Sequence, residues 1–222
     1  RRRGGPSASA DATSDAPVDD PMASAEALAA DGAHAEAVDL LAAENRRRPD
    51  PALQERLVEL RMEAARDRRE GRGREPWPPV YDDPFPDLSG SVPEIPASAL
   101  GTGTVGGAVA HHGALIVRGL FSDDQVARCV EAIDHAHEVR AEVAAGEHEP
   151  DTAYRPVRTE TPMKTQVLRK MVGEQGGIWL ADSPTATAVA LDALHDVGAV
   201  TMMTEHFGER PFFSLQKSTL RR

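Results

Sequence analysis

The chain has 222 residues, of which 40% are hydrophobic and 4% aromatic, so it can bury a core built mainly from alanine, valine and leucine. Its formal net charge of −11 argues against nucleic-acid and anionic-membrane partners, because both need net or clustered positive charge. The single cysteine, Cys129, excludes an internal disulfide, and no apolar run has the length of a membrane span. We therefore expect a cytoplasmic protein.

The N-terminal part of the chain divides into three predicted segments. Residues 1–21 are rich in Gly, Ser, Ala, Asp and Pro without apolar periodicity, which predicts a disordered tail. Residues 22–70 show helical spacing of apolar side chains, and Asp50 followed by Pro51 marks the start of a third helix. Residues 71–98 hold seven of the 17 prolines and are predicted to form a linker.

One of these predicted helices resembles half of a tetratricopeptide repeat. That motif's small, aromatic, alanine, large-apolar and proline positions are filled by Gly32, His34, Ala37, Leu41 and Pro49. Such repeats need neighbours to bury their apolar faces, so a single unit indicates a helical appendage and not a peptide-binding solenoid.

Three aromatic residues recur at every fourth position of the linker, namely Trp77, Tyr81 and Phe85. Large aromatic faces are unfavourable to leave in water, so we expect these side chains to pin the linker onto a domain surface. The alternative is a proline-rich ligand for a partner protein.

Residues 99–222 are predicted to fold as a unit in which helices and strands alternate. A short helix over 105–111 precedes a strand over 114–118. The next helix has the clearest start in the chain, with Ser122 as N-cap and Gln125 as its reciprocal partner. A further helix begins at Ser183-Pro184, and strand-like runs follow over 200–204 and 212–220.

The helix that begins at Ser122 is expected to bury one apolar face, made of Val126, Cys129, Val130 and Ile133, with His137 as a candidate to extend it. This placement makes packing the better interpretation of Cys129, because a nucleophilic thiolate needs exposure and a base.

Known site motifs are incomplete in this sequence. Gly101-Thr-Gly-Thr-Val-Gly106 fits the dinucleotide pattern G-x-G-x-x-G, but the site also needs a strand immediately before it. Residues 93–98 precede the motif and are not predicted to form a strand, so the pattern favours a glycine-rich helix entry. The eight histidines lack partners at metal-ligand spacing and are interpreted as structural or exposed. We assign no catalytic residue and no metal ligand.

The segment 112–128, His-Gly-Ala-Leu-Ile-Val-Arg-Gly-Leu-Phe-Ser-Asp-Asp-Gln-Val-Ala-Arg, resembles the opening of phytanoyl-CoA dioxygenase-like proteins. In that family a strand followed by Gly feeds a long helix that begins at an acidic, capped turn. The segment 213–222, Phe-Ser-Leu-Gln-Lys-Ser-Thr-Leu-Arg-Arg, resembles the strand that leads to the family's W-H-x-D motif. The resemblance covers residues 99–222.

The resemblance implies an α+β chain that contains the first part of a double-stranded β-helix (jelly-roll) domain. It also implies an oxygenase that uses Fe(II), bound by two histidines and a carboxylate, with 2-oxoglutarate as cosubstrate and a small-molecule substrate. The family places cosubstrate contacts on the strand that leads to the W-H-x-D motif, and the matching segment here carries Lys217 and Thr219 on one face by alternation. No H-x-D occurs in the chain, so we expect an inactive fragment.

Two alternatives stay open at this stage. The helical appendage and the aromatic linker could belong to a non-enzymatic interaction protein, and the glycine motif could belong to a nucleotide-binding domain. The chain starts without Met and ends inside a strand-like run, which predicts truncation. An unpaired strand over 212–220 would further predict self-association.

Overall fold

The computed structural model describes residues 20–67, 78–157 and 163–222. Within these ranges the fold is mixed, as expected for an α+β chain, with eight helices and four short strands. The helices are α1 (Pro21–Ala30), α2 (His34–Arg47), α3 (Pro51–Asp67), α4 (Thr102–His112), α5 (Asp123–Ala145), α6 (Met163–Glu174), α7 (Pro184–Asp196) and α8 (Ala199–Phe207). The strands are β1 (Glu94–Pro96), β2 (Ile116–Arg118), β3 (Ile178–Trp179) and β4 (Thr219–Leu220).

The four strands form two separate two-stranded sheets. β1 pairs with β2 in parallel, and β3 pairs with β4 in antiparallel orientation. The described residues therefore contain no jelly-roll. No helix among them is both long and apolar enough to cross a membrane.

Helices α1 to α3 pack around a core of their own. Asp50 caps α3 as predicted, because its carboxylate accepts a hydrogen bond of 2.8 Å from the amide of Ala52. The apolar side chains at helical spacing along α3 are all buried, namely Leu53, Leu57, Leu60 and Ala64. The helices begin at Pro21, whereas most of the predicted tail, residues 1–19, lies outside the described residues.

The opposite face of α3 joins a second core. Val58 and Met62 pack there with residues from α5, α7, both strands of the antiparallel sheet and the segments that adjoin these strands, namely Ala132, Ala136, Ile178, Leu180, Ala186, Leu215 and Leu220. α3 thus contributes to both cores, and the N-terminal helices pack directly against the rest of the molecule.

The described part of the proline-rich segment packs on α4, and the predicted pinning is confirmed for two of the three aromatic residues. The ring of Tyr81 stacks on His206 with centroids 5.7 Å apart, and Phe85 meets His112 edge to face. α4 admits this close approach because its residues 106 and 107 are glycines, against which Tyr81 and Pro84 pack. Trp77 lies outside the described residues.

The start of α5 is confirmed, and the prediction of its buried face is wrong for two of four residues. Ile133 packs against the second core and Cys129 is partly buried. Both bonds of the capping box between Ser122 and Gln125 are present. Val126 and Val130, however, are 49% and 51% exposed, while Ala132, Ala136 and Val139 are buried. α7 packs against α5, and small alanine side chains allow the close contact that the larger valines would prevent.

Two strand predictions near the end of the chain are wrong. Residues 200–204 lie in α8, which is bounded by Gly198 and Gly208 in left-handed conformation, and the hydroxyl of Thr204 donates back to the carbonyl of Val200. In 212–220 only Thr219 and Leu220 are paired as a strand. The preceding residues form a turn closed on the carbonyl of Ser214, so the long unpaired edge behind the predicted self-association is absent.

Candidate functional site

The two residues predicted to contact a cosubstrate lie in different structures. Lys217 is exposed in the turn, where its amide donates to the carbonyl of Ser214 over 3.0 Å. Thr219 is partly buried in β4, opposite Trp179 of β3. The shared strand face on which their joint role depended is therefore missing, and a cosubstrate role for either residue stays a prediction.

A buried carboxylate lies close to this short sheet. Asp182 is 4% exposed and accepts hydrogen bonds from the amide of Val157, at 2.9 Å, and from the guanidinium of Arg169. Burial raises the pKa of Asp182, against the opposing effect of those two donors. The guanidinium of Arg169 also lies 5.4 Å from the ring centroid of Trp179, which places a cation over its face.

A second arginine completes this cluster. Arg140 of α5 donates to the carbonyls of Gly177, at 2.9 Å, and Gly173, at 3.1 Å. Arg169 likewise donates to the carbonyl of Val157 over 2.9 Å. The space left between the two guanidinium groups is a cavity of about 70 Å³. Because both arginines already bind groups of the protein, the cluster joins α5, α6 and β3 and offers little to a ligand.

The glycine-rich motif is preceded by a strand, contrary to the prediction. β1 leads into α4 and pairs in parallel with β2, so these elements form a small βαβ unit. The N-terminus of α4 nevertheless faces a carboxylate of the protein itself, since the hydroxyl of Thr102 donates to Glu205. Gly106 serves the packing of Tyr81 and not a phosphate. This arrangement does not favour a nucleotide site.

Several histidines have structural partners, as predicted. The imidazole of His112 lies 2.9 Å from the carboxylate of Asp83, and His148 lies 3.0 Å from Asp151. His206 lies 3.1 Å from the hydroxyl of Tyr81. His137 differs, because its Nε2 is buried and has no hydrogen-bond partner among the described residues.

An iron site of the kind implied by the resemblance does not fit the residues present. No H-x-D occurs in the sequence, and the described residues contain no group of three or more His, Cys, Asp or Glu side chains placed to hold a metal ion. We therefore derive no chemical step through iron from this chain.

Sequence reasoning missed an arginine-lined cavity beside α3. Its charged residues are Arg61 and Arg66, and its opposite wall is formed by residues 213–216. The one sequence feature that could have indicated the cavity is Arg61, a charged residue between two apolar ones. Its neighbours Leu60 and Met62 are both buried. The wall that encloses it comes from a segment distant in sequence, which helical periodicity cannot indicate.

Comparisons with known proteins give no relative. No model of a known family matches the chain, and no curated protein or solved structure is detectably similar to it. The resemblance described above therefore depends on the two quoted segments alone.

Proposed function

We propose that the chain supplies the front elements of an Fe(II)- and 2-oxoglutarate-dependent oxygenase of the phytanoyl-CoA dioxygenase type, with a small molecule as substrate and the cytoplasm as its compartment. The observation that carries the proposal is the unit formed by β2, a turn and α5. The strand ends at Arg118, Gly119 turns the chain at φ +65°, and Ser122 caps a helix of 23 residues. The resemblance implies this order and this kind of helix start.

A non-enzymatic interaction protein would need apolar side chains that are free to contact a partner. In this molecule, several of the expected side chains pack within the protein itself. In the N-terminal helices, Leu41 and Leu57 are buried in their own core, and Val58 is buried against the rest of the molecule. In the linker, Tyr81 and Phe85 pack on α4 and α8. These contacts reduce the apolar area that the N-terminal helices and the linker offer to a partner.

The proposal assigns a structural role to the residues of this chain. Because the residues present do not fit an iron triad, none of them is given a part in the oxidation. The expected contribution is a correctly positioned entry strand and a long helix against which a catalytic domain can pack.

The proposal is tested by measuring conversion of 2-oxoglutarate to succinate with Fe(II) and ascorbate. The enzyme is the product of the complete reading frame that contains these residues, and the 222-residue polypeptide is the control. We expect iron-dependent turnover by the former and none by the latter. Absence of turnover by the complete product across a panel of small-molecule substrates would contradict the proposal, as would turnover by the 222-residue polypeptide.

A further inference from the structure

A cavity of about 170 Å³ lies between the C-terminal half of α3 and the segment 213–216. Its polar lining consists of two guanidinium groups, a hydroxyl and an amide, those of Arg61, Arg66, Ser214 and Gln216. Met62 and Leu215, both buried, add an apolar wall. No carboxylate belongs to this lining, so the cavity is positive in character.

The four polar side chains of the cavity have no partner in the part of the chain that the structure describes. None of them forms a hydrogen bond or an ion pair there. Ser214 takes part in its turn through its backbone carbonyl, which leaves its hydroxyl available. Most arginines nearby are paired, as in the bond of 2.6 Å between Arg56 and Glu26. Arg66 and Ser214 are exposed and Arg61 and Gln216 are partly buried, so their donor groups are open to a ligand that enters from solvent.

The charge around Arg61 is also unbalanced. Asp192 and Asp39 are the nearby carboxylates, but Arg46 lies 3.6 Å from the first and Arg210 lies 2.6 Å from the second. Burial lowers the pKa of Arg61 to about 10, and the charges of Arg210 and Arg46 lower it as well. Arg61 thus remains charged at neutral pH in partly buried surroundings, where Asp192 and Asp39 already pair with other arginines.

We propose that this cavity binds a small oxyanion between Arg61, Arg66, Ser214 and Gln216. Guanidinium groups donate in a fork that matches the oxygens of a carboxylate or a phosphate, and the hydroxyl and amide add neutral donors. The volume suits inorganic phosphate or a short organic acid, whose methylene groups would contact Met62 and Leu215. The site is separate from the oxygenase chemistry and does not depend on the proposed function.

Isothermal titration calorimetry and thermal melts of the 222-residue chain test the proposal. Sodium phosphate and disodium succinate are each compared with sodium chloride at equal ionic strength, since chloride controls for general screening. We expect saturable binding of one anion per chain and a higher Tm than in chloride. Tighter binding of phosphate identifies a phosphate site, and tighter binding of succinate identifies a site for organic acids.

Matched variants assign the binding to this cavity. Arg61→Gln should weaken binding roughly tenfold or more, because a charge-assisted hydrogen bond is lost. Ser214→Ala, at the exposed rim of the cavity, should weaken anion binding by a smaller factor. This variant provides the test if Arg61→Gln does not fold. Arg128→Gln, at an exposed arginine of α5 outside the cavity, should leave the affinity unchanged.

Two results would overturn the site. The first is the absence of saturable binding of either anion beyond the effect of chloride. The second is binding that folded Arg61→Gln and Ser214→Ala variants retain with unchanged affinity.

Discussion

Ser122 and Gln125 close the first turn of α5 through two reciprocal hydrogen bonds. The amide of Gln125 donates to the Ser122 hydroxyl over 3.2 Å, and the amide of Ser122 donates to the Gln125 side chain over 2.9 Å. Ser122→Ala should lower the free energy of unfolding by about 1 kcal/mol, because one amide at the start of the helix loses its partner. Urea melts of the purified protein measure this loss.

Coupling within the capping box gives a sharper outcome. The double variant Ser122→Ala/Gln125→Ala should lose less stability than the sum of the two single variants, because the bonds support one another. Ser89→Ala, at an exposed serine with no role in a cap, is the control and should be close to neutral. Full additivity within error would show that the box is not a unit.

His137 of α5 should make stability depend on pH. Burial lowers its pKa, Arg140 and Arg222 lower it further, and Asp134 opposes them. The unfolded chain therefore takes up a proton more readily than the folded one, so stability is lost as the pH falls through about 6.5 towards the lower folded pKa.

His137→Leu removes both this titration and the buried, unpaired Nε2. The variant should be more stable than the parent by about 1 kcal/mol, with a larger gain at pH 5 than at pH 8. Melts at both pH values measure the difference, and His135→Leu at the exposed neighbour controls for the helix propensity of leucine. A gain that is equal at the two pH values would refute the assignment.

At the scale of elements, α4 carries the proline-rich segment only because it has glycines at the contact. A Cβ atom at residue 107 would lie 2.7 Å from Cδ of Pro84 and would press on the carbonyl of Asp82. Gly107→Ala should therefore destabilise the protein by about 1–3 kcal/mol, since overpacking outweighs the better helix propensity of alanine.

Gly103→Ala on the same helix is the matched control. A Cβ there meets nothing within 4 Å, so the substitution should stabilise the protein by up to about 1 kcal/mol through helix propensity. Thermal melts of both variants decide the matter. If both substitutions shift the Tm in the same direction, the close approach of residues 81–84 is not the reason for glycine at residue 107.

Features encoded by neighbouring residues were predictable from the sequence. Ser122, Asp50 and Ser183-Pro184 mark helix starts correctly, because capping involves residues only two or three apart. The buried face of α5 was not predictable in this way. Val126 and Val130 carry more apolar surface than Ala132, but α7 packs on the alanine side, and that choice is made by tertiary contacts.

The same distinction applies to the end of the chain and to the sites. The residues of 200–204 favour strands by propensity, yet two flanking glycines and a back-bonding threonine hold them in a helix. The arginine cavity also escaped prediction, because Arg61 and Ser214 are brought together only by folding. Lys217 and Thr219 were paired by strand alternation, which fails once a turn interrupts the strand.

At the scale of the whole molecule, α3 connects two cores and should make them unfold together. Leu57 is 1% exposed in the first core, and its neighbour Val58 is 2% exposed in the second. Leu57→Ala should cost about 2–5 kcal/mol and should lower the stability of both cores, because both depend on the same helix.

Two probes test this cooperativity in the Leu57→Ala variant. Trp179 is buried in the second part of the molecule, and Trp77→Phe makes it the single tryptophan. Its fluorescence and the far-UV circular dichroism should give coincident urea transitions in the parent and in the variant. A dichroism change that precedes the Trp179 transition would mean that α1 to α3 unfold separately.

We propose that β2 and α5 belong to the start of a phytanoyl-CoA dioxygenase-like domain. The most direct test is the nucleotide sequence of the reading frame that follows the codon for Arg222. We predict a Trp-His-x-Asp motif within a few codons, which would supply the first histidine and the carboxylate of an iron site. A stop codon at that position would contradict the claim and would favour the interaction protein.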